Sequence, residues 1–82
     1  MGKLIVIRKM DEHQLRLAES IDGASILLLQ DGTYLAGKTN ATTYVSAEDA
    51  RKRGVKLDGA EPVGYAEIVS LLLEQGHTVV NL

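Results

Sequence analysis

The residues best placed for chemistry form the tip of an aliphatic run. Ile26 to Leu29 lead directly into Gln30, Asp31 and Gly32. A carboxylate after a buried strand either caps the helix that follows or lines a binding groove at the strand end. A glycine there gives the chain the freedom that a tight exit needs. The sequence favours the structural role, with Asp31 capping a short helix over Thr33–Ala36. Gln30, Asp31 and Gly32 also stay candidates for a strand-end site.

A second strand end carries a hydroxyl and another carboxylate. Ser46 follows the strand-forming stretch ATTYV, residues 41–45, and Asp49 comes three positions after it. This spacing is typical of an N-cap and its partner in the first helical turn. Ser46 is also a candidate member of the strand-end site, and Asp49 could face the same groove as Asp31. Two carboxylates without a motif of metal ligands give a metal site little support, so we expect neither a metal nor another cofactor.

The residues that this chain lacks restrict its chemistry further. It has no cysteine, which excludes a disulfide, a thiolate nucleophile, a persulfide carrier and cysteine-bound zinc. His13 and His77 lie far apart and have no motif around them, so we interpret both as exposed or helix-end histidines. No glycine-rich phosphate-binding motif occurs. Catalysis by this chain alone is therefore not expected.

Strand-forming and helix-forming segments alternate along the chain. The predicted strands are Lys3–Ile7, Ala24–Leu29, Ala41–Val45, the short extended piece Glu61–Val63, and His77–Leu82. The first predicted helix follows the N-cap Asp11, with Gln14 in capping-box spacing, and stops at Asp22-Gly23. The second follows the N-cap Ser46 and stops at Gly54. The third covers Tyr65–Gln75 and stops at Gly76.

This alternation predicts a single α/β domain over residues 1–82. Strands separated by helices form right-handed βαβ units, which build a mostly parallel sheet. We expect a three-layer α/β/α sandwich of four or five strands, with Leu4–Ile7 and Ile26–Leu29 as neighbouring central strands. The carboxyl ends of parallel strands share one edge of the sheet, where Lys9, Met10, Gln30–Gly32 and Ser46 should lie.

Net charge and hydrophobicity indicate which partners and which cellular compartment to expect. The net charge is -2, which gives no general attraction to nucleic acid, so direct nucleic-acid contact is not expected. No apolar run approaches the length of a membrane span, and the N-terminus lacks a signal peptide, so the cytoplasm is the expected compartment. The basic stretch Arg51-Lys52-Arg53 is either a solvated helix end or a contact for an acidic partner or RNA phosphates.

The last predicted helix is apolar around most of its circumference. Glu67, Ser70 and Glu74 form only a narrow polar stripe. A helix of this kind is usually buried on two sides, and in so small a domain the second side would belong to another chain. The candidate partner interface consists of Tyr65, Val69, Leu71 and Leu72. Association is therefore better supported than catalysis.

Four motifs, taken in order, resemble the DsrE/DsrF/DsrH-like sulfur-relay superfamily in its TusB/DsrH branch. They are the Leu-Arg-Leu-Ala helix at Leu15–Ala18, the aliphatic strand ending in acid-Gly at Ile26–Gly32, the strand and acidic helix with an Arg-Gly stop at Tyr44–Gly54, and the last helix at Tyr65–Leu71. The resemblance covers nearly the whole chain.

The resemblance implies a subunit of a heteromeric complex that passes persulfide sulfur between proteins. In the Tus system this sulfur ends in 2-thiouridine at the tRNA wobble position. The reactive cysteine lies on a different, DsrE/TusD-like subunit. Some DsrH proteins carry a cysteine just before the Leu-Arg-Leu-Ala motif, and here that position is Gln14. The implied role is a non-catalytic subunit whose partners are of the DsrE/DsrF (TusD/TusC) type or further copies of itself.

One alternative to this role follows from the residues alone. The chain would then be a self-associating α/β domain that binds a small anion or metabolite at the carboxyl edge of its strands. Neighbouring genes for cysteine-bearing DsrE-like and DsrF-like proteins would favour the sulfur relay. Homo-oligomers alone, with a melting temperature that responds to a metabolite, would favour the alternative.

Overall fold

A five-stranded sheet in which every strand pairing is parallel organises the protein. The computed structural model describes residues 2–57, 59–73 and 78–82. The strands are β1 (Lys3–Ile7), β2 (Ala24–Leu28), β3 (Thr43–Ser46), β4 (Glu61–Val63) and β5 (Thr78–Asn81). The α-helices are α1 (Glu12–Glu19), α2 (Ala47–Arg53) and α3 (Tyr65–Leu73), and a 3-10 helix (Gln30–Leu35) connects β2 to β3. The predicted α/β architecture is confirmed.

The strand order β4-β3-β2-β1-β5 explains which face each helix covers. From β1 to β4 each strand lies beside the one before it, so every connection runs in the same direction. The connection from β4 to β5 runs back across the sheet. Because parallel crossovers are right-handed, this reversal puts α3 on the face opposite α1 and α2. The predicted parallel pairing of the first two strands is confirmed, with Ile5 opposite Ile26.

Two aliphatic clusters fill the space between the sheet and its helices. The first face, which we call the two-helix face, is covered by α1, α2 and the 3-10 helix. The buried residues of this face include Ile5, Ile7, Leu15, Ala18, Ile26, Leu28, Leu35, Val45 and Ala50. On the second, the α3 face, the buried residues are Leu4, Val6, Leu27, Val63 and Leu71. Alternate residues of each strand point to opposite faces, so a sheet covered on both faces needs continuous aliphatic runs.

Side-chain caps fix the starts of α1 and α2. Asp11 accepts hydrogen bonds from the backbone N–H groups of His13 (2.9 Å) and Gln14 (3.3 Å), as predicted for an N-cap. The side chain of Gln14 does not complete the capping box, and within the described part of the chain its buried Oε1 has no hydrogen-bond partner. Ser46 Oγ accepts from the Asp49 N–H at 3.2 Å, which confirms the second predicted cap.

The ends of several elements differ from the prediction by a few residues. α1 stops at Glu19, before Asp22-Gly23, because the Ser20 hydroxyl bonds to the Leu17 carbonyl (2.6 Å) and competes with further helix. α2 stops as predicted at Gly54, which has φ of 66°. The predicted end of the last helix at Gln75-Gly76 and the start of the last strand at His77 lie outside the described residues. None of the described helices is long and apolar enough to span a bilayer.

Candidate functional site

A cleft of about 540 Å³ opens at the carboxyl ends of β3 and β4. It forms because α2 leaves β3 toward the two-helix face while α3 leaves β4 toward the α3 face. Ligands in open α/β sheets bind where the connections of neighbouring strands diverge in this way. The lining includes apolar Leu29, Val63 and Ile68 and polar Ser46, Arg51 and Tyr65. The topology therefore identifies this cleft as the candidate site.

Among the residues predicted for the strand-end site, Ser46 lines the cleft and the other three do not. Gln30, Asp31 and Gly32 form the first turn of the 3-10 helix. Ser46 is buried, and its oxygen is already used as the cap of α2. Lys9 and Met10 lie in a separate cavity of about 450 Å³ near the end of β1. The strand ends share one edge as predicted, but their polar side chains do not converge on one site.

Asp31 does not cap the helix at its tip, which corrects the prediction. The 3-10 helix begins at Gln30, its N-cap position is Leu29, and no side chain of its own caps it there. Asp49, which lies on α2, supplies the missing acceptor, because the Gln30 N–H donates to Asp49 Oδ2 at 2.8 Å. The cap thus comes from another element of the fold.

Arg53 joins the tip to α2 through both carboxylates. Its Nε donates to Asp31 Oδ1 at 2.9 Å, and its Nη1 lies 3.9 Å from Asp49 Oδ1. Nη1 also donates to the main-chain oxygen of Asp49 at 3.3 Å. The two acidic residues proposed from the sequence as site candidates are therefore engaged in holding the 3-10 helix against α2.

Gly32 is needed because there is no room for a side chain at this position, whereas the sequence predicted that it would provide backbone freedom. A Cβ added at Gly32 would overlap the carbonyl oxygen of Ile7 and lie 2.9 Å from its carbonyl carbon. The left-handed backbone conformation falls instead on Gln30, with φ of 50°. A side chain tolerates that region poorly, so the hydrogen bond from Gln30 to Asp49 holds a locally strained residue in place.

Replacing Asp49 by alanine should destabilise the protein more than replacing Asp31. Asp49→Ala removes the acceptor for the strained Gln30 N–H and should cost about 1–2 kcal/mol. Asp31→Ala breaks an ion pair whose carboxylate is 65% exposed and should cost less than about 0.5 kcal/mol. Urea denaturation of both variants measures the difference. Equal losses of unfolding free energy in the two variants would show that the hydrogen bond from Gln30 to Asp49 adds nothing to the ion pairs with Arg53.

The structure separates the predicted interface residues of α3 into three environments. Leu71 packs in the core of the α3 face, and Val69 and Leu72 are half-buried. Tyr65 is 84% exposed and also lines the cleft. Leu73, which the prediction of the interface left out, is 78% exposed. The exposed apolar surface of α3, which we define as Tyr65, Val69, Leu72 and Leu73, therefore extends from the cleft along the helix.

Charges around the cleft are mostly paired within α2. Lys52 lies 3.1 Å from Glu48, and Arg53 contacts both Asp31 and Asp49, whereas Arg51 forms no ion pair with any described residue. In the basic stretch, Lys52 and Arg53 are thus paired with carboxylates, and Arg51 is the cation that could contact a ligand. The described residues include no group of three or more histidine or acidic side chains that could hold a metal ion.

The shifted pKa values belong to α1 and not to the cleft. Hydrogen bonds from Thr39 and Arg16 lower the pKa of Glu19, and Glu19 raises the pKa of Arg16. Both side chains pair at the surface, at 2.7 Å. Their titration therefore bears on the attachment of α1 to the neighbouring loop rather than on chemistry at the strand ends.

Gln14, which the resemblance would align with the cysteine of some DsrH proteins, lies in the first turns of α1 and is half-buried. It does not line the cleft. Known proteins provide no further guide to the site: no protein-family model, curated protein or solved structure matches this chain.

Proposed function

We propose that this chain is a non-catalytic, protein-binding subunit of a sulfur-relay complex, one that serves 2-thiolation of the tRNA wobble uridine. The order of the four motifs that resemble the TusB/DsrH branch supports this assignment. With no cysteine in the chain, the persulfide would be carried by a partner of the DsrE type. The contribution of this subunit would be to position that partner.

The exposed apolar surface of α3 is the observation that carries the proposal. Glu67 is the sole charged residue of this nine-residue helix. A helix that packs on a sheet on one side normally presents charged residues on the other. Tyr65 and Leu73 are instead mostly exposed, and large apolar side chains, tyrosine above all, supply much of the binding energy at protein interfaces.

The contacts at the strand ends support binding over catalysis. Asp49 caps the 3-10 helix, Asp31 pairs with Arg53, and Ser46 caps α2. A nucleophile needs a neighbouring base that is free to accept its proton. In the cleft, Asp49 and Ser46 are engaged in structural hydrogen bonds and Glu48 is paired with Lys52, so no described carboxylate there is left without a partner to serve as that base.

The test is reconstitution with cysteine-bearing DsrE-type and DsrF-type proteins from the same genome. Wild-type chain should form a stoichiometric complex in size-exclusion chromatography with light scattering. Leu73→Lys should weaken binding by tenfold or more, since it places a charge in the apolar contact. Its melting temperature should barely change, because Leu73 is exposed and a cation suits a helix C-terminus.

Leu17→Lys is the matched control. Leu17 is 49% exposed on α1, at the opposite side of the sheet, so this variant adds the same charge away from α3 and should bind like the wild type. Failure of wild-type chain to bind either protein would overturn the proposal. If its melting temperature also rose with inorganic phosphate, the alternative of a small-anion site beside Arg51 in the cleft would replace it.

A further inference from the structure

The two edges of the sheet differ in how well they are protected from pairing with another strand. At the β4 edge, Glu61 and Pro62 are exposed; proline has no N–H to donate, and a charge opposes strand addition. The β5 edge has the sequence Thr-Val-Val-Asn, with neither charge nor proline. Uncharged, β-branched edges of this kind are the ones that accept another strand.

The backbone of β5 presents donors and acceptors outward at alternate residues. The Thr78 N–H donates to the Gly2 carbonyl and the Leu82 N–H to the Val6 carbonyl, each at 3.1 Å. In a parallel ladder alternate residues bond to the same neighbour, so Val80 also faces β1. The N–H and C=O groups of Val79 and Asn81 therefore point away from the sheet, and no strand of the described chain lies beyond them.

We propose that β5 pairs in antiparallel fashion with β5 of a second copy of this chain, so that two sheets join into one. With the two-fold axis beside Val80, each Val79 lies opposite Asn81 of the second copy. These two residues exchange N–H···O=C bonds in both directions, which is the hydrogen-bonded pair of an antiparallel ladder. The edge is thus self-complementary, as an isologous interface requires.

Side chains on both faces of β5 favour the same occupant. Val79 packs beside the α3-face cluster and Val80 beside the two-helix-face cluster, and each is only half-buried. A second β5 would cover both valines without bringing a charged side chain of either β5 into the contact. The inference does not rest on the proposed function, since it is argued from the backbone edge of β5 and not from the exposed apolar surface of α3.

The experiment uses the purified chain alone. Because a four-residue strand pair forms a small interface, we expect a weak dimer, seen by sedimentation velocity between about 5 and 500 µM. Asn81→Pro removes the outward N–H and should weaken the dimer by tenfold or more. Asn81→Ala, the control, loses the same side chain and its 2.7 Å bond from Arg8 but keeps that N–H, so it should dimerise like the wild type.

A cysteine at the two-fold axis gives a second test that does not depend on proline. Val80→Cys would have the only thiol in the chain. Residues facing each other in a non-hydrogen-bonded antiparallel pair lie close enough for a disulfide. When a mild thiol oxidant is added to accept the two electrons, the half-buried cysteine should therefore cross-link faster than Lys52→Cys at an exposed site. A chain monomeric at all concentrations, equal dimers in both Asn81 variants, or faster cross-linking at position 52 would overturn the proposal.

Discussion

Gly32→Ala is expected to leave the protein largely unfolded at room temperature. The new methyl group would overlap the Ile7 carbonyl oxygen, and that oxygen accepts the Leu29 N–H at 3.0 Å at the end of the pairing of β1 with β2. Moving either backbone away would break this hydrogen bond and displace the buried 3-10 helix that follows it. A clash of this kind should cost about 4 kcal/mol or more, which is comparable to the whole stability of a domain this small.

Gly64→Ala is the control for this substitution. Gly64 precedes α3, and within the described residues a Cβ there would meet only Glu67 Oε1, at 3.6 Å. The control should fold and lose less than about 1 kcal/mol through its poorer helix start. Circular dichroism with urea titration compares the two variants. A Gly32→Ala protein as stable as the control would mean that the tip can shift, and our explanation of Gly32 would be wrong.

Leu35→Ala is expected to cost about 3 kcal/mol, the usual loss for a fully buried leucine. Leu35 is the large side chain that the 3-10 helix inserts into the core of the two-helix face, which also contains Leu15 of α1 and Ala50 of α2. A 3-10 helix of six residues covers less of the sheet than a full α-helix. Removing the Leu35 side chain would therefore leave a cavity that the neighbouring alanines cannot fill.

Tyr34→Ala separates this packing effect from a change in the 3-10 helix itself. Tyr34 is the adjacent residue and is 42% exposed, so the same truncation should cost less than about 1 kcal/mol. The comparison is the difference between the two free energies of unfolding in urea. Similar losses would indicate that both substitutions act on the helix, and that Leu35 has no special place in the core.

The layers of the fold were predictable because they depend on local patterns. Aliphatic runs such as Lys3–Ile7, separated by capped helical segments, are sufficient to predict a parallel sheet with helices on both faces. Asp11, Ser46 and Gly54 marked helix ends because each acts within its own turn. The strand order was not accessible in the same way, since it depends on which strands meet in three dimensions.

The site was harder to predict because its contacts join residues distant in sequence. Asp31 has the pattern of a cap, yet the Gln30 N–H bonds to Asp49, which only the packing of α2 on the 3-10 helix brings near. The cleft depends on the reversal between β3 and β4, and no sequence motif marks such a reversal. On α3, composition indicated excess apolar surface, but the orientation of the helix decides that Leu71 is buried and Leu73 exposed.

The neighbouring positions of β1 and β5, with Lys3 opposite Thr78, set the order in which the sheet can assemble. β1 to β4 can pair one after another as the chain leaves the ribosome, but β5 must close the longest loop of the fold and comes last. Until α3 and β5 return across the sheet, Leu4 and Val6 have no cover. The nascent chain thus carries an uncovered aliphatic face until α3 and β5 have been made, and in that interval it is most prone to aggregation.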